Sequence, residues 1–146
     1  MQFTTVATLL AGAASFAAAA PTPSTLKSFS VDGLHWSTTP SQTQVSFNLT
    51  DPNTGATAEC YYSPVLIGGI YTCNNNDNFK YGFNDDLSEI SVAVTFPKGT
   101  LDDSDAYYIA NGTASTGKEC HGTTAGEDCT GAAHIEVPIE TIQGVA

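Results

Sequence analysis

Residues 87–96 read LSEISVAVTF, and apolar and polar side chains alternate along most of this segment. Successive side chains of a β-strand point to opposite faces, so the segment predicts a strand with one buried face. The apolar side is formed by Ile90, Val92, Val94 and Phe96. The same period of two recurs in residues 29–36, 45–50 and 134–140. The chain is therefore expected to consist of half-buried strands rather than helices.

Further short segments with strand character are residues 56–62, 69–73, 78–83, 107–114 and 132–139. Gly, Pro, Asn or Asp separates most of them, and the run DPNTG at 51–55 predicts a turn. About 8–11 short antiparallel strands at intervals of about ten residues indicate an all-β fold, either a sandwich or a barrel. Closure into a barrel would protect the strand edges, and Pro138 suits an edge position.

The chain has four cysteines, which also constrain the fold: Cys60, Cys73, Cys120 and Cys129. An even number of cysteines in a small chain that begins like a secreted protein predicts disulfides rather than metal ligands. Four cysteines permit three pairings, and the sequential one is favoured because both intervals suit hairpins or local loops. Two disulfides would stabilise a β-rich domain of about 125 residues.

The N-terminal residues 1–20 carry no charged side chain, and residues 6–19 are apolar or small throughout. A short apolar region followed by an alanine-rich run predicts a secretion signal over residues 1–19, with cleavage near Ala18 or Ala19. A single secreted domain would then span residues 20–146. Since no other apolar run approaches the roughly 18 residues of a membrane helix, an extracellular protein without a membrane span is expected.

The negative net charge of the chain argues against several classes of function. Fifteen acidic residues face four basic ones, all of them Lys, and the formal net charge is -11. A negative field repels phosphate, so nucleic-acid binding and adhesion to anionic membranes are disfavoured. Because there is no Arg, no guanidinium can hold a phosphate in bidentate fashion, which argues against the common phosphoryl-transfer and nuclease sites.

The flanks of the cysteines carry a family resemblance. The segment IYTC at 70–73 is followed by alternating aromatic residues in FKYGF at 79–83. Cys60 lies upstream, and Cys120 and the run DCTGA at 128–132 lie downstream. This pattern resembles the fungal Alternaria alternata major allergen family and its elicitor relatives. The resemblance spans nearly all of the mature chain.

The resemblance implies a β-barrel-like fold, disulfides Cys60–Cys73 and Cys120–Cys129, and secretion by a filamentous fungus. Members of the family are allergens or elicitors that trigger plant defence and hypersensitive cell death, and thaumatin-like defence proteins are among their proposed targets. We therefore expect an effector that recognises plant extracellular or cell-surface proteins without catalysis. The alternatives are a secreted ligand- or carbohydrate-binding module and, less favoured, a small hydrolase such as a ribonuclease. The family's dimer-linking N-terminal cysteine is absent before Cys60, so no disulfide-linked dimer is expected.

The residues that most often carry catalysis form no recognisable motif. His35, His121 and His134 are far apart in sequence, and solvated side chains are favoured over a metal site. Nothing in the spacing singles out a carboxylate pair, such as Glu59 with Glu136, for glycoside hydrolysis. No Gly-x-Ser-x-Gly motif occurs, and the cysteines are expected to be in disulfides. No catalytic residue, metal or cofactor is predicted.

Two tyrosine doublets, Tyr61-Tyr62 and Tyr107-Tyr108, are the candidates for a recognition surface. Adjacent side chains of a strand point to opposite faces, so one tyrosine of each doublet is expected to be exposed. Exposed tyrosines are frequent energetic centres of protein interfaces.

Two sequons are candidate glycosylation sites. Asn48-Leu49-Thr50 and the NGT triplet at Asn111 both fit the acceptor pattern, which applies to a secreted chain. Asn48 should face solvent if its neighbours Phe47 and Leu49 face the core.

Overall fold

The structure is a computed structural model that describes residues 21–65 and 68–145. The predicted secretion signal, residues 1–19, lies outside the described residues. A short 3-10 helix, Pro23–Thr25, precedes the strands β1 Phe29–Thr38, β2 Thr43–Asp51, β3 Ala56–Tyr62, β4 Ile70–Cys73, β5 Asn76–Phe83, β6 Glu89–Phe96, β7 Tyr107–Ser115, β8 Glu119–Thr123, β9 Gly126–Thr130, β10 His134–Val137 and β11 Thr141–Val145. In this part of the chain no helix has the length and apolar character needed to cross a membrane.

The strands form two antiparallel sheets. Sheet A has the order β3-β2-β1-β9-β8, and β10 also pairs with β1. Sheet B has the order β11-β7-β6-β5-β4. The predicted all-β antiparallel fold with two disulfides is therefore confirmed, in the form of a sandwich. Of the two architectures expected, a sandwich or a barrel, the described residues form the sandwich, because the ladders end at β3 in one sheet and at β4 in the other.

Asparagine side chains take the place of a ladder where β3 meets β4. The Glu59 N–H donates to Oδ1 of Asn75 at 2.8 Å, and the Tyr61 N–H donates to Oδ1 of Asn74 at 2.7 Å. The Asn74 N–H in turn donates to the Glu59 carbonyl at 3.0 Å. These bonds satisfy the backbone of an edge strand that would otherwise be open to pairing. The corner between the sheets is closed without a continuous ladder.

The two disulfides have different positions in this architecture. Cys60–Cys73 joins β3 to β4 across the corner, with its Cα atoms 4.3 Å apart, and so links sheet A to sheet B. Cys120–Cys129 joins directly paired residues of β8 and β9, with its Cα atoms 4.0 Å apart. The first disulfide connects the two layers, whereas the second fastens a hairpin at one edge of sheet A.

Strand β1 pairs with two successive segments of the chain along one side. Its residues 29–32 pair with β10, and its residues 35–38 pair with β9. The register between β1 and β2 shifts between Asp32 and His35, where Gly33 has a φ of 68°. Glycine adopts this left-handed conformation without the penalty that a Cβ would bring. The break lets one long strand align with both halves of residues 126–137.

The core between the sheets is rich in aromatic side chains. The Trp36 and Phe83 ring centroids lie 5.6 Å apart, and those of Phe47 and Tyr81 lie 4.7 Å apart, both edge to face. Such edge-to-face pairs contribute stability beyond the area they bury. The predicted facing of β6 is confirmed, since the buried side chains of this strand are Ile90, Val92, Val94 and Phe96.

Candidate recognition surface

Three large apolar side chains are exposed beside the corner that Cys60–Cys73 closes. Among the described residues, the exposed fractions are 49% for Tyr61, 42% for Tyr62 and 78% for Ile70. Tyr61 and Tyr62 end β3, and Ile70 begins β4. We call these three side chains the junction patch. Exposed aromatic and large apolar side chains are typical of protein interaction sites.

A row of tyrosine rings connects Tyr62 of the junction patch to the core. The Tyr62 ring lies 4.3 Å from that of Tyr71, which lies 5.6 Å from that of Tyr81. Tyr81 is buried, and its hydroxyl has no hydrogen-bond partner within the described chain. Burial, followed by the nearby Tyr71 and Tyr62, raises the pKa of Tyr81 well above its usual range. The Tyr62 ring is therefore positioned by packing although its outer face contacts solvent.

A groove on the outer face of sheet B lies next to the junction patch. Its volume is about 410 Å³, and Ile70 belongs to its lining. The small residues Gly82, Ser91 and Ala93 line it. A Cβ at Gly82 would lie 2.9 Å from the Gly69 carbonyl oxygen, so the absence of a side chain allows residue 69 to lie close over β5. Ile70 is the residue that the groove shares with the junction patch.

Polar and charged side chains complete the lining of the groove. It includes Lys80, Glu89 and Glu140, so acids outnumber bases there as in the whole chain. Asn111 of the second sequon also belongs to it, and the Thr113 hydroxyl donates to Oε1 of Glu140 at 2.6 Å. A glycan on Asn111 would therefore occupy the same space as a ligand of the groove.

The structure places the other candidates elsewhere. Tyr107 is half-buried, and Tyr108 is buried in β7 of sheet B, so the second doublet does not join the junction patch. In the first doublet both rings are exposed, because Tyr62 lies at the end of β3, beyond the full cover of the core. Asn48 is exposed on β2. Ile70 was not identified from the sequence, although it alternates with the inward-facing Tyr71 and is the apolar residue on the outward side of β4.

All three histidines lie on the outer face of sheet A. His35 Nε2 lies 2.6 Å from Oδ1 of Asp128, and His134 Nδ1 lies 2.6 Å from Oδ1 of Asp32. The hydrogen bond that His134 donates to Asp32, followed by the charge of Asp32, raises the pKa of His134. His121 is exposed on β8 and is paired in register with Asp128. The two ion pairs join residues that are far apart in sequence.

The described acidic residues with a shifted pKa lie in exposed turns. Hydrogen bonds from Ser88 lower the pKa of Asp86, and hydrogen bonds from Ser104 and then Tyr108 lower that of Asp102. The Tyr108 hydroxyl donates to Oδ2 of Asp102 at 2.5 Å. A general acid needs a raised pKa, so these carboxylates are better suited to holding turns than to proton transfer.

The carboxylate pair Glu59 and Glu136 and a cluster around Cys120 are not suitably placed for catalysis or metal binding. Glu59 lies on β3 and Glu136 on β10, with β2 and β1 between them. Three interstrand spacings and a two-residue offset in register put their backbones about 16 Å apart, so both side chains would have to extend fully toward each other to reach the roughly 5–9.5 Å between the carboxyl groups of glycosidases. Cys120, Glu127 and Cys129 lie close enough for metal binding, but both sulfur atoms are in the disulfide. Neither group forms a catalytic or metal site in the described chain.

Comparisons with known proteins identify the fold. Two crystal structures of the Alternaria alternata allergen Alt a 1 superpose on the chain with a TM-score of 0.54. The fold is that of Alt a 1. One of these structures is 18% identical and the match covers 77% of this chain and 87% of the allergen chain; the other is 19% identical, with 77% and 92% covered. No protein-family model and no curated protein matches the chain. The resemblance inferred from the cysteines and their aromatic flanks is thus confirmed for the fold.

Proposed function

We propose that this protein is a secreted fungal effector or elicitor that triggers plant defence or hypersensitive cell death through protein recognition, without catalysis. The junction patch carries the proposal, because three large apolar side chains are exposed at a covalently closed corner of the sandwich. Apolar and aromatic side chains held rigidly at a surface are the usual anchors of a protein interface. The allergen-like fold and the paired disulfides, which form in oxidising compartments, support an extracellular site of action.

The proposed partner is a plant extracellular or cell-surface protein, and thaumatin-like defence proteins are the class that the resemblance implies. A chain with a net charge of -11 favours a partner with a basic surface, because complementary charge accelerates association. Each of the four cysteines is paired within the chain, so association with a second copy would be non-covalent.

Leaf infiltration with purified variants tests this function. The double variant Tyr61→Ala/Ile70→Ala removes two exposed anchors and spares Tyr62, whose ring packs on Tyr71. Tyr107→Ala on the far strands of sheet B is the matched control. We expect cell death with the wild type and with Tyr107→Ala, and a lost or much weaker response with the double variant. A circular dichroism spectrum of each variant shows that it is folded.

Two results would contradict the proposal. A folded wild-type protein that causes no response in leaf tissue would reject the elicitor function. A double variant that is as active as the wild type would reject the junction patch as the recognition site.

A ligand-binding module is the second candidate function, favoured by the groove of about 410 Å³. Its volume is in the range of small-molecule sites, and small side chains such as Ser91 and Ala93 line it. Ala93→Leu would fill the groove while leaving the junction patch intact. If the groove binds a small ligand such as a carbohydrate, this variant loses binding in calorimetry with oligosaccharides but keeps elicitor activity. Equal binding by Ala93→Leu and the wild type would reject the groove as a ligand site.

A further inference from the structure

Two histidines and one aspartate lie on three neighbouring strands at one end of the outer face of sheet A. Asp128 lies on β9, between β1, which carries His35, and β8, which carries His121. His35 Nε2 already lies 2.6 Å from Oδ1 of Asp128. His121 and Asp128 are directly opposite each other in the β8–β9 ladder. His35 therefore contacts Asp128, and His121 lies on the next strand, opposite Asp128 on the same face of the sheet.

The register brings His121 within reach of the same point. Directly opposed residues in an antiparallel pair have Cβ atoms about 4.5–5.5 Å apart and share a face. His121 is exposed, so its ring is free to turn toward Asp128. The neighbouring pair of residues, Cys120 and Cys129, is joined by the disulfide on the opposite face of the hairpin. This crosslink fixes the backbone that presents His121 and Asp128.

We propose that His35, Asp128 and His121 form a zinc-binding site, with the fourth coordination position open to water. Neutral imidazole nitrogens and a carboxylate oxygen are standard zinc ligands, each about 2.0–2.2 Å from the metal. Ligand atoms of a tetrahedral site at those distances lie about 3.3 Å apart, so the 2.6 Å contact between His35 and Asp128 has to open slightly and the His121 ring has to turn toward Asp128 to complete the site. The net charge of -11 raises the local concentration of divalent cations.

Zinc titration by calorimetry tests the site, with the secreted protein made without a polyhistidine tag and near neutral pH. The wild type is expected to bind one Zn²⁺ per chain. We expect at least about a tenfold loss of zinc affinity for each of the variants His35→Ala, His121→Ala and Asp128→Asn. Replacing a residue that only hydrogen-bonds a zinc ligand already lowers the metal affinity roughly 10–100-fold. His134→Ala is the matched control, because His134 pairs with Asp32 at 2.6 Å on the same sheet but outside the site. This variant should bind zinc within about twofold of the wild type.

Nuclear magnetic resonance provides a second measurement that does not depend on the variants. Added Zn²⁺ should shift the imidazole signals of His35 and His121 and leave those of His134 in place. The proposal is overturned if the wild type shows no saturable binding, or if all four variants bind zinc equally. It is also overturned if His134→Ala alone loses binding, or if His121 does not respond to zinc.

Discussion

Removing the disulfide between the sheets should cost more stability than removing the one within the hairpin. Cys60 and Cys73 are 13 residues apart, and a closed loop of about 14 residues corresponds to about 3 kcal/mol in the chain-entropy model. Cys120 and Cys129 are 9 residues apart, which gives about 2.7 kcal/mol. Loop length alone therefore predicts nearly equal losses for the two disulfides.

The positions of the two disulfides in the fold make the expected losses of stability different. Cys60 and Cys73 are only 1% and 2% exposed, so alanines there would also leave a small cavity, raising the expected loss to about 4 kcal/mol. Cys129 is 3% exposed but Cys120 is half-buried, so a smaller cavity forms here and the loss should stay near the loop-closure value of about 2.7 kcal/mol.

Guanidinium unfolding of the double variants Cys60→Ala/Cys73→Ala and Cys120→Ala/Cys129→Ala, followed by tryptophan fluorescence, measures both losses. Trp36 is fully buried, so its emission reports on the core. An equal or larger loss for Cys120→Ala/Cys129→Ala would refute the reasoning that the corner disulfide holds the two layers together. Such a result would mean that loop entropy in the unfolded chain dominates and that the location in the fold matters little.

Two further predictions concern the surface ion pair and a crowded glycine. The pKa of His134 is higher in the folded protein than in the unfolded chain, where it is about 6.5. The pairing with Asp32 therefore stabilises the folded protein fully at pH values below about 6.5, and this stabilisation is lost as the pH rises through the folded-state pKa. Asp32→Asn should therefore lower the unfolding midpoint in guanidinium more at about pH 5.5 than at about pH 8.5, and an equal decrease at both would contradict this. A Cβ at Gly112 would overlap the Pro138 carbonyl oxygen, whereas one at Gly122 meets open space. Gly112→Ala should cost about 1–3 kcal/mol and Gly122→Ala less than about 0.5 kcal/mol in the same assay, and equal losses would count against the close packing of β7 under residue 138.

The sequence predicted the strands that bury one face. The alternation in residues 87–96 corresponds to β6, although the strand begins at Glu89 because Leu87 has a positive φ of 61° and belongs to a turn. The hairpin of β8 and β9 was missed, and so was β11. These strands are mostly exposed and lack an alternating apolar pattern, so only pairing with their neighbours makes them strands.

The candidate sites were harder to predict because they depend on register between distant segments. Tyr61 and Tyr62 were identified, since a doublet in a strand places one ring outward. The pair of His35 with Asp128 was not, because it requires β9 to lie beside the second half of β1. The spacing of residues along the chain does not predict the alignment of β9 with the second half of β1, which follows from the break in β1 at Gly33.

The divided pairing of β1 also has a kinetic consequence. Its partners on that side begin about a hundred positions later, so the central strand of sheet A cannot complete its hydrogen bonding until a very long loop has closed. Proteins dominated by such distant pairings have a high contact order and fold in milliseconds to seconds rather than microseconds. Newly made chains are therefore expected to spend an extended period with the edge of β1 uncovered, when assistance from the folding machinery of the cell matters most.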